Sequence, residues 1–251
     1  MDTLELIIDL HIRGDRQGPG SASSTRRAIE LAGLNDKNPL QIADIGCGTG
    51  AASLILAGDL QADVTAVDLL PEFLTELNRR AEQLGLGQRI TTRTASMDAL
   101  PFQDAAFDVL WSEGAIYNVG FETGIQNWRK YLKPGGILAV SELTWLTRDR
   151  PDELTQHWNR EYPEVALPSV KIDQLEAHGY ETLGYFPLSP DCWRDEYYDP
   201  MQRRFDAFLE KNNHSGEAKA LIKAEQAEMD LYKRNVAYVS YGFYVARKLP
   251  D

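Results

Sequence analysis

Three glycines stand at alternate positions in the stretch Asp-Ile-Gly-Cys-Gly-Thr-Gly at residues 44–50. Glycine permits a tight turn and lets a ligand lie against bare backbone. The apolar run at 40–45 has the length of a strand buried on both faces. Residues 51–57 have the composition of a helix, whose first N–H groups lack partners within the helix. Strand, glycine turn and helix in this order predict a nucleotide-binding βα unit.

The spacing of the glycine turn fits two classes of cofactor. Gly46, Gly48 and Ala51 match the dinucleotide pattern G-x-G-x-x-G/A, so an NAD-dependent oxidoreductase is the alternative. Asp44 favours a different ligand, because its carboxylate would repel a pyrophosphate and would pair with an ammonium group. Gly50 indicates the same, since it makes the turn wider than the dinucleotide pattern needs.

A second carboxylate, Asp68, stands near the end of a second predicted strand at 63–70. A carboxylate at the end of the second strand of such a unit can accept hydrogen bonds from both hydroxyls of a ribose. We therefore expect Asp68 to hold the ribose of a nucleoside cofactor.

Several motifs in order resemble those of class I S-adenosylmethionine-dependent methyltransferases, in their small-molecule branch. The first is the glycine stretch at 44–50, the second is Ser-Met-Asp-Ala-Leu-Pro-Phe at 96–102, and the third is Lys-Pro-Gly-Gly before an apolar strand at 133–142. The resemblance spans residues 40–143. It implies transfer of a methyl group from S-adenosylmethionine to a small molecule.

The resemblance also assigns positions to the cofactor. In the family, the glycine loop holds the methionine end, the acidic residue of the second motif receives the adenine amino group, and its neighbour packs on the ring. Here these last two are Asp98 and Met97. The full set of expected cofactor contacts is Gln17, Asp44, Gly46, Cys47, Gly48, Asp68, Leu69, Met97, Asp98, Glu113 and Gly114.

Residues for the chemistry and for the acceptor are expected where the later strands end. A methyl group on a sulfonium is already activated, so alignment matters most and a base is needed only for a protonated nucleophile. The candidate catalytic residues are Glu142, Tyr117 and His157. The candidate substrate contacts are Tyr117, Trp145, Trp193 and Tyr197, because aromatic rings suit an uncharged or cationic acceptor.

The chain divides into two predicted parts. Residues 1–35 form helices around a Gly-Pro-Gly loop and are expected to gate the cofactor, and residues 36–250 form the methyltransferase domain. The fold class is α/β: a doubly wound, mostly parallel, Rossmann-like sheet of seven strands whose last strand is antiparallel. A helical insertion at 190–235 precedes that strand, and we expect it to cover the substrate.

Composition narrows the partners. The net charge of −12 disfavours binding to nucleic acid or an anionic membrane surface, and no apolar run approaches the roughly 20 residues of a membrane span. The two cysteines suit the reducing cytoplasm, and no His or Cys spacing suits a metal. The start lacks the basic region of a signal peptide.

The oligomeric state is left open, and a homodimer is one possibility. A non-enzymatic cofactor-binding regulator is a third reading; it would lack a substrate pocket under the insertion.

Overall fold

The computed structural model describes residues 3–34 and 39–250. In this part of the chain seven strands form one sheet. The strands are β1 (Gln41–Ile45), β2 (Asp63–Asp68), β3 (Ile90–Thr94), β4 (Phe107–Glu113), β5 (Leu132–Trp145), β6 (Tyr180–Pro187) and β7 (Val239–Lys248).

The strand order across the sheet is β3-β2-β1-β4-β5-β7-β6. Neighbouring strands are parallel from β3 to β5, whereas β7 runs antiparallel to both β5 and β6. The predicted doubly wound, mostly parallel sheet with an antiparallel last strand is therefore confirmed. The order reverses between β1 and β4, and ligands of open α/β sheets bind outside the carboxyl ends of the strands at such a point.

Eleven α-helices are assigned in the described residues. They are α1 (Thr3–His11), α2 (Ala22–Leu31), α3 (Ala51–Asp59), α4 (Pro71–Gln83), α5 (Phe121–Trp128), α6 (Asp152–Glu161), α7 (Pro168–Ala177), α8 (Pro190–Trp193), α9 (Asp199–Gln202), α10 (Phe205–Lys211) and α11 (Gly216–Asn235).

Alternate residues of the strands build two hydrophobic cores, one on each face of the sheet. Ile42 and Val109 face the core that includes Leu56 of α3, while Ala43 belongs with Ile125 of α5 to the other. Burial on both faces explains why the central strands are continuous apolar runs. None of the helices in the described ranges is long and apolar enough to cross a membrane.

The segment between β6 and β7 is helical from Pro190 onward, within the predicted insertion at 190–235. A π-helical turn at Arg194–Tyr198 joins α8 to α9. Phe205 and Met229 belong to the same core as α1 and α3, so this segment packs as part of the domain. We call residues 190–235 the cover and residues 3–21 the N-terminal segment.

Candidate functional site

A cavity of about 670 Å³ lies at the carboxyl ends of β1, β2 and β4. Its wall includes all eleven residues that the sequence assigns to the cofactor, which are Gln17, Asp44, Gly46, Cys47, Gly48, Asp68, Leu69, Met97, Asp98, Glu113 and Gly114. Tyr117 and Tyr197 also line it. The topology thus brings together positions that are far apart in the chain, as the contact between Arg16 and Glu113, 97 residues apart, illustrates.

The glycine turn leaves no room for larger residues. Gly46 has φ +73°, and a Cβ there would lie 2.4 Å from the Cβ of Ala115. Gly48 has φ +54°, and a Cβ there would lie 2.3 Å from Oε1 of Gln17. These backbone positions therefore form a cradle that only glycine can line.

Asp68 is fixed at the end of β2 by backbone donors. The N–H of Gly48 donates to Oδ2 of Asp68 at 2.8 Å, and the N–H of Leu70 donates to Oδ1 at 3.0 Å. Burial raises the pKa of Asp68, and these backbone hydrogen bonds oppose that rise. The carboxylate is thus held at the cavity wall with lone pairs left for further donors.

Asp44 lies at the bottom of the cavity and is 1% exposed. The hydroxyl of Ser53 donates to its Oδ2 at 2.5 Å. Burial raises the pKa of Asp44 to about 7, and Glu113 and Asp68 add to the rise. A cation beside Asp44 would favour its ionised form.

The opposite end of the cavity is apolar and more open. Met97 is half-buried, and the indole N–H of Trp128 donates to its carbonyl at 2.9 Å. Leu69 is 63% exposed at the rim, and Asp98 is exposed beside it. An aromatic ring would lie between apolar side chains here, with a carboxylate at its edge.

The N-terminal segment is closed over the glycine turn. Oε1 of Gln17 accepts hydrogen bonds from the N–H of Thr49 at 2.8 Å and from its hydroxyl at 3.1 Å. The amide nitrogen of Gln17 donates to the carbonyls of His11 and Gly14 at 3.2 and 3.1 Å. Gln17 therefore ties the segment to the turn.

Glu113 is held by three donors. Nη1 of Arg16 donates to its Oε2 at 2.6 Å, and the Thr25 hydroxyl and the Trp111 indole donate to its Oε1 at 2.7 and 3.0 Å. Glu113 lines the cavity, but in this structure its oxygens anchor the N-terminal segment and α2.

The N-terminal segment also contacts the cover. Asp9 of α1 pairs with Lys211 and accepts from Nδ2 of Asn212 at 3.1 Å. Nε2 of His11 lies 3.5 Å from Oε1 of Glu225. At the other end of the segment, the N–H of Gly20 donates to the carbonyl of Cys192 at 3.3 Å. The N-terminal segment and the cover, which are far apart in the sequence, therefore form one continuous roof over the cavity. The residue periodicity within either segment does not predict this contact.

The structure corrects three expected placements. Trp193 is 3% exposed, stacks on Tyr232 at a centroid distance of 4.3 Å and donates to Ser240. Trp145 is also 3% exposed and lies beneath the guanidinium of Arg150. His157 packs edge-on against its neighbour Trp158 on α6. None of the three lines the cavity, because each side chain packs against neighbouring residues instead.

Glu142 lies behind the cavity wall, on the face of the sheet covered by α5 and α7. Its side chain is fully buried, and Nζ of Lys171 lies 3.8 Å from its Oε1. Burial raises the pKa of Glu142 to about 7 and lowers the pKa of Lys171, while each opposes the shift of the other. No sequence pattern marks Lys171, which is one polar residue of an ordinary helix.

Within residues 3–34 and 39–250, no group of three His, Cys, Asp or Glu side chains is arranged to hold a metal ion. Fold and site together define an α/β protein that binds a nucleoside-containing cofactor at the switch point of a parallel sheet.

Comparisons with known proteins narrow this class. A family model described as a methyltransferase domain matches residues 42–136. Dimethylglycine N-methyltransferase of Parasynechococcus marenigrum is 31% identical over 205 residues, which cover 79% of this chain and 70% of that protein. Malonyl-[acyl-carrier protein] O-methyltransferase of Pseudescherichia vulneris is 33% identical over 71% of this chain and 64% of that protein.

A similar fold has been solved. The S-adenosylmethionine-dependent methyltransferase of Geobacter sulfurreducens, crystallised with S-adenosylhomocysteine, superposes with a TM-score of 0.84 at 18% identity, over 96% of this chain and 97% of that chain. The chain therefore belongs to the S-adenosylmethionine-dependent methyltransferase family, with S-adenosylmethionine as its cofactor. The comparisons do not support the oxidoreductase alternative. The matches span between 45% and 64% of the length of the first four curated relatives.

Proposed function

We propose that this protein transfers a methyl group from S-adenosylmethionine to a small molecule bound in the same cavity. The observation that carries the proposal is the convergence of the eleven expected cofactor contacts on one cavity wall. Family membership supports the reaction, and the cradle at Gly46 and Gly48 fits a ligand lying against backbone.

Each end of the cavity suits one part of the cofactor. The glycine turn and Asp44 would hold the methionine end, where the amino group would pair with the buried carboxylate. Asp68 would accept the ribose hydroxyls, and Leu69 with Met97 would enclose the adenine above Asp98. The cofactor supplies a methyl group on a positively charged sulfur, and the protein supplies alignment and exclusion of water.

The remainder of the cavity is the proposed acceptor site. Leu4, Ile7 and Val119 give it an apolar wall, and Tyr117 and Tyr197 add aromatic rings. The N-terminal segment and the cover enclose it from above, so a small molecule suits it better than a folded macromolecule. The matched relatives are named for O- and N-methylation, so they do not assign the accepting atom.

The gate and the cover belong to the same proposal. Gln17 and Arg16 line the cavity and Arg16 pairs with Glu113, so opening of the N-terminal segment would expose the cofactor. Because α1 contacts the cover, we propose that the two segments open together.

Calorimetry with S-adenosylhomocysteine tests the proposal. Asp68→Ala removes charge-assisted hydrogen bonds of about 1.5–3 kcal/mol each, so the dissociation constant should rise at least tenfold. Asp63→Ala, at the other end of β2, is the matched control and should bind as the wild type does. The assignment fails if folded Asp68→Ala keeps wild-type affinity, or if NAD raises the melting temperature and S-adenosylhomocysteine does not.

A further inference from the structure

A carboxylate without a hydrogen bond lies behind the acceptor end of the cavity. The side chain of Glu142 is fully buried, and neither of its oxygens has a hydrogen-bond partner in the described part of the chain. The hydroxyl of Tyr162 also lacks one by distance and angle within the same residues, but it lies beside the Glu142 carboxylate and interacts with it. Glu142, Tyr162 and Lys171 therefore form a buried polar group at this end of the cavity.

The carboxylate of Glu142 lies close to residues of the cavity wall. The ring of Tyr162 lies 6.0 Å from that of Tyr117, which lines the cavity. Glu142 interacts electrostatically with Tyr117 and also with Tyr241. The ring of Tyr241 lies next to the cavity residue Gly114, since a Cβ on Gly114 would lie 3.0 Å from Cε2 of Tyr241.

A second carboxylate approaches the same place from the cover. The hydroxyl of Tyr198 donates to Oε1 of Glu228 at 2.9 Å. Glu228 interacts electrostatically with Tyr117, Tyr197 and Tyr241. Two carboxylates on different elements thus face a space whose walls are tyrosine rings.

Three basic side chains near this space each lie beside a partner group. Lys171 lies beside Glu142 with its ammonium 4.4 Å from the ring centre of Phe121, and His11 lies beside Glu225. Arg204 donates to the carbonyl of Pro200 and interacts with Asp15 as well as Tyr197. Lys171 offsets the charge of Glu142 itself, so it is chiefly the charge of Glu228 that favours a positive ligand at the tyrosines.

From this arrangement we infer that the methyl acceptor is an amine with an apolar body, whose ammonium form is recognised between Tyr117, Tyr197 and Tyr241 by the negative charge of Glu142 and Glu228. Ring faces attract an ammonium group, and carboxylates behind the rings add to that attraction. The apolar body would lie along Ile7 and Val119. This inference rests on the proposed function.

The chemistry requires the amine to lose one proton. The ammonium form has no lone pair, so one proton must first pass to water or to a carboxylate near the cavity. The nitrogen lone pair then forms the bond to the methyl carbon while the bond from carbon to sulfur breaks and its electron pair stays on sulfur. The product is again a cation, one methyl group larger.

Binding to the protein saturated with S-adenosylhomocysteine tests the inference without turnover. The probes are N,N-dimethylbenzylamine, benzyl alcohol and benzoate, which share an apolar body and differ in charge. The amine should bind at least tenfold more tightly than the alcohol by calorimetry, and benzoate should bind least. Equal affinities, or a preference for benzoate, would overturn the inference.

Variants locate the charge. Glu228→Gln and Glu142→Gln should each weaken amine binding at least fivefold and leave benzyl alcohol binding unchanged. Glu217→Gln, an exposed residue in the first turn of α11, is the matched control. Glu228→Gln keeps the test valid if Glu142→Gln fails to fold. Unchanged amine affinity in a folded Glu228→Gln protein would contradict the assignment.

Turnover gives a second readout. Pools of amines, phenols and carboxylic acids are compared for release of S-adenosylhomocysteine, and only amine pools should give it. Release from phenol or acid pools alone overturns the inference, as does the absence of both binding and turnover with every amine. If S-adenosylhomocysteine itself does not bind, the proposed function fails; if it binds and amines do not, only this inference fails.

Discussion

Nη1 of Arg16 lies 2.6 Å from Oε2 of Glu113, and the two side chains are 9% and 8% exposed. Arg16 belongs to the N-terminal segment, and Glu113 ends β4 at the cavity. This ion pair therefore fastens the proposed gate to the sheet where the cofactor would bind.

Arg16→Met should loosen the gate. Removing one partner of a buried pair leaves an uncompensated charge and costs about 3–5 kcal/mol. Here the cost would destabilise the closed state of the N-terminal segment. Hydrogen exchange of residues 12–21 should speed up, and the dissociation constant of S-adenosylhomocysteine should rise at least tenfold.

Arg13→Met is the control for this variant, because Arg13 is exposed in the same loop. Equal exchange rates and affinity in the two variants would show that the pair does not hold the segment. Deletion of residues 1–20 is a poorer experiment, since Leu6 and Leu10 belong to the hydrophobic core.

Gly46→Ala should destabilise the fold by more than its backbone conformation alone explains. A left-handed alanine costs roughly 1–2 kcal/mol, and the forced contact with Ala115 adds about 1–3 kcal/mol of overpacking. Gly85→Ala separates the two effects, because Gly85 has φ +70° and open space at its Cβ. Urea unfolding should show Gly46→Ala as the less stable protein, and equal losses would contradict the clash.

Local patterns carried most of the fold and the cofactor site. The glycine turn follows β1, Asp68 ends β2 and the Ser-Met-Asp motif follows β3, so the strand order places all three at one edge of the sheet. Such positions follow from apolar runs and their ends. The predicted roles of these residues remain predictions.

Contacts between distant segments could not be predicted from the sequence. The pairing of His11 with Glu225 and of Lys171 with Glu142 depends on how helices pack, which no spacing reveals. Trp193 is predicted to contact the substrate, yet stacking on Tyr232 places it in the core. Aromatic residue type alone does not separate a substrate wall from helix packing.

Lys171→Met should be strongly destabilising. At pH 8 the wild-type carboxyl of Glu142 is above its raised pKa of about 7. Without Lys171 that pKa rises further, so the buried carboxyl must either stay ionised without its counter-charge or take up a proton, at a cost of up to about 3–5 kcal/mol. Lys133→Met breaks the more exposed pair with Asp108 and should cost less than about 1 kcal/mol. The double variant Lys171→Met/Glu142→Gln should recover part of the loss in urea unfolding. If Lys171→Met matches Lys133→Met, Glu142 does not depend on Lys171 for its charge.

Cofactor affinity should rise with pH through the titration of Asp44. Burial raises the pKa of Asp44 to about 7, so the carboxyl is mostly neutral at pH 6 and mostly ionised at pH 8. Only the ionised form attracts the cofactor's ammonium group, which keeps its proton across the range from about pH 5.5 to 7. The dissociation constant of S-adenosylhomocysteine should therefore fall by up to about tenfold per pH unit between pH 5.5 and 6.5 and level off above pH 7.

Asp44→Asn retains an oxygen for the Ser53 hydroxyl but has no titrating group. It should bind weakly at pH 7.5 and show no change in affinity near neutrality, although Asp68, whose pKa burial also raises, can still titrate at the acidic end. Calorimetry at half-unit pH steps measures both profiles, and parallel profiles for wild type and variant would exclude Asp44 as the partner of the ammonium group.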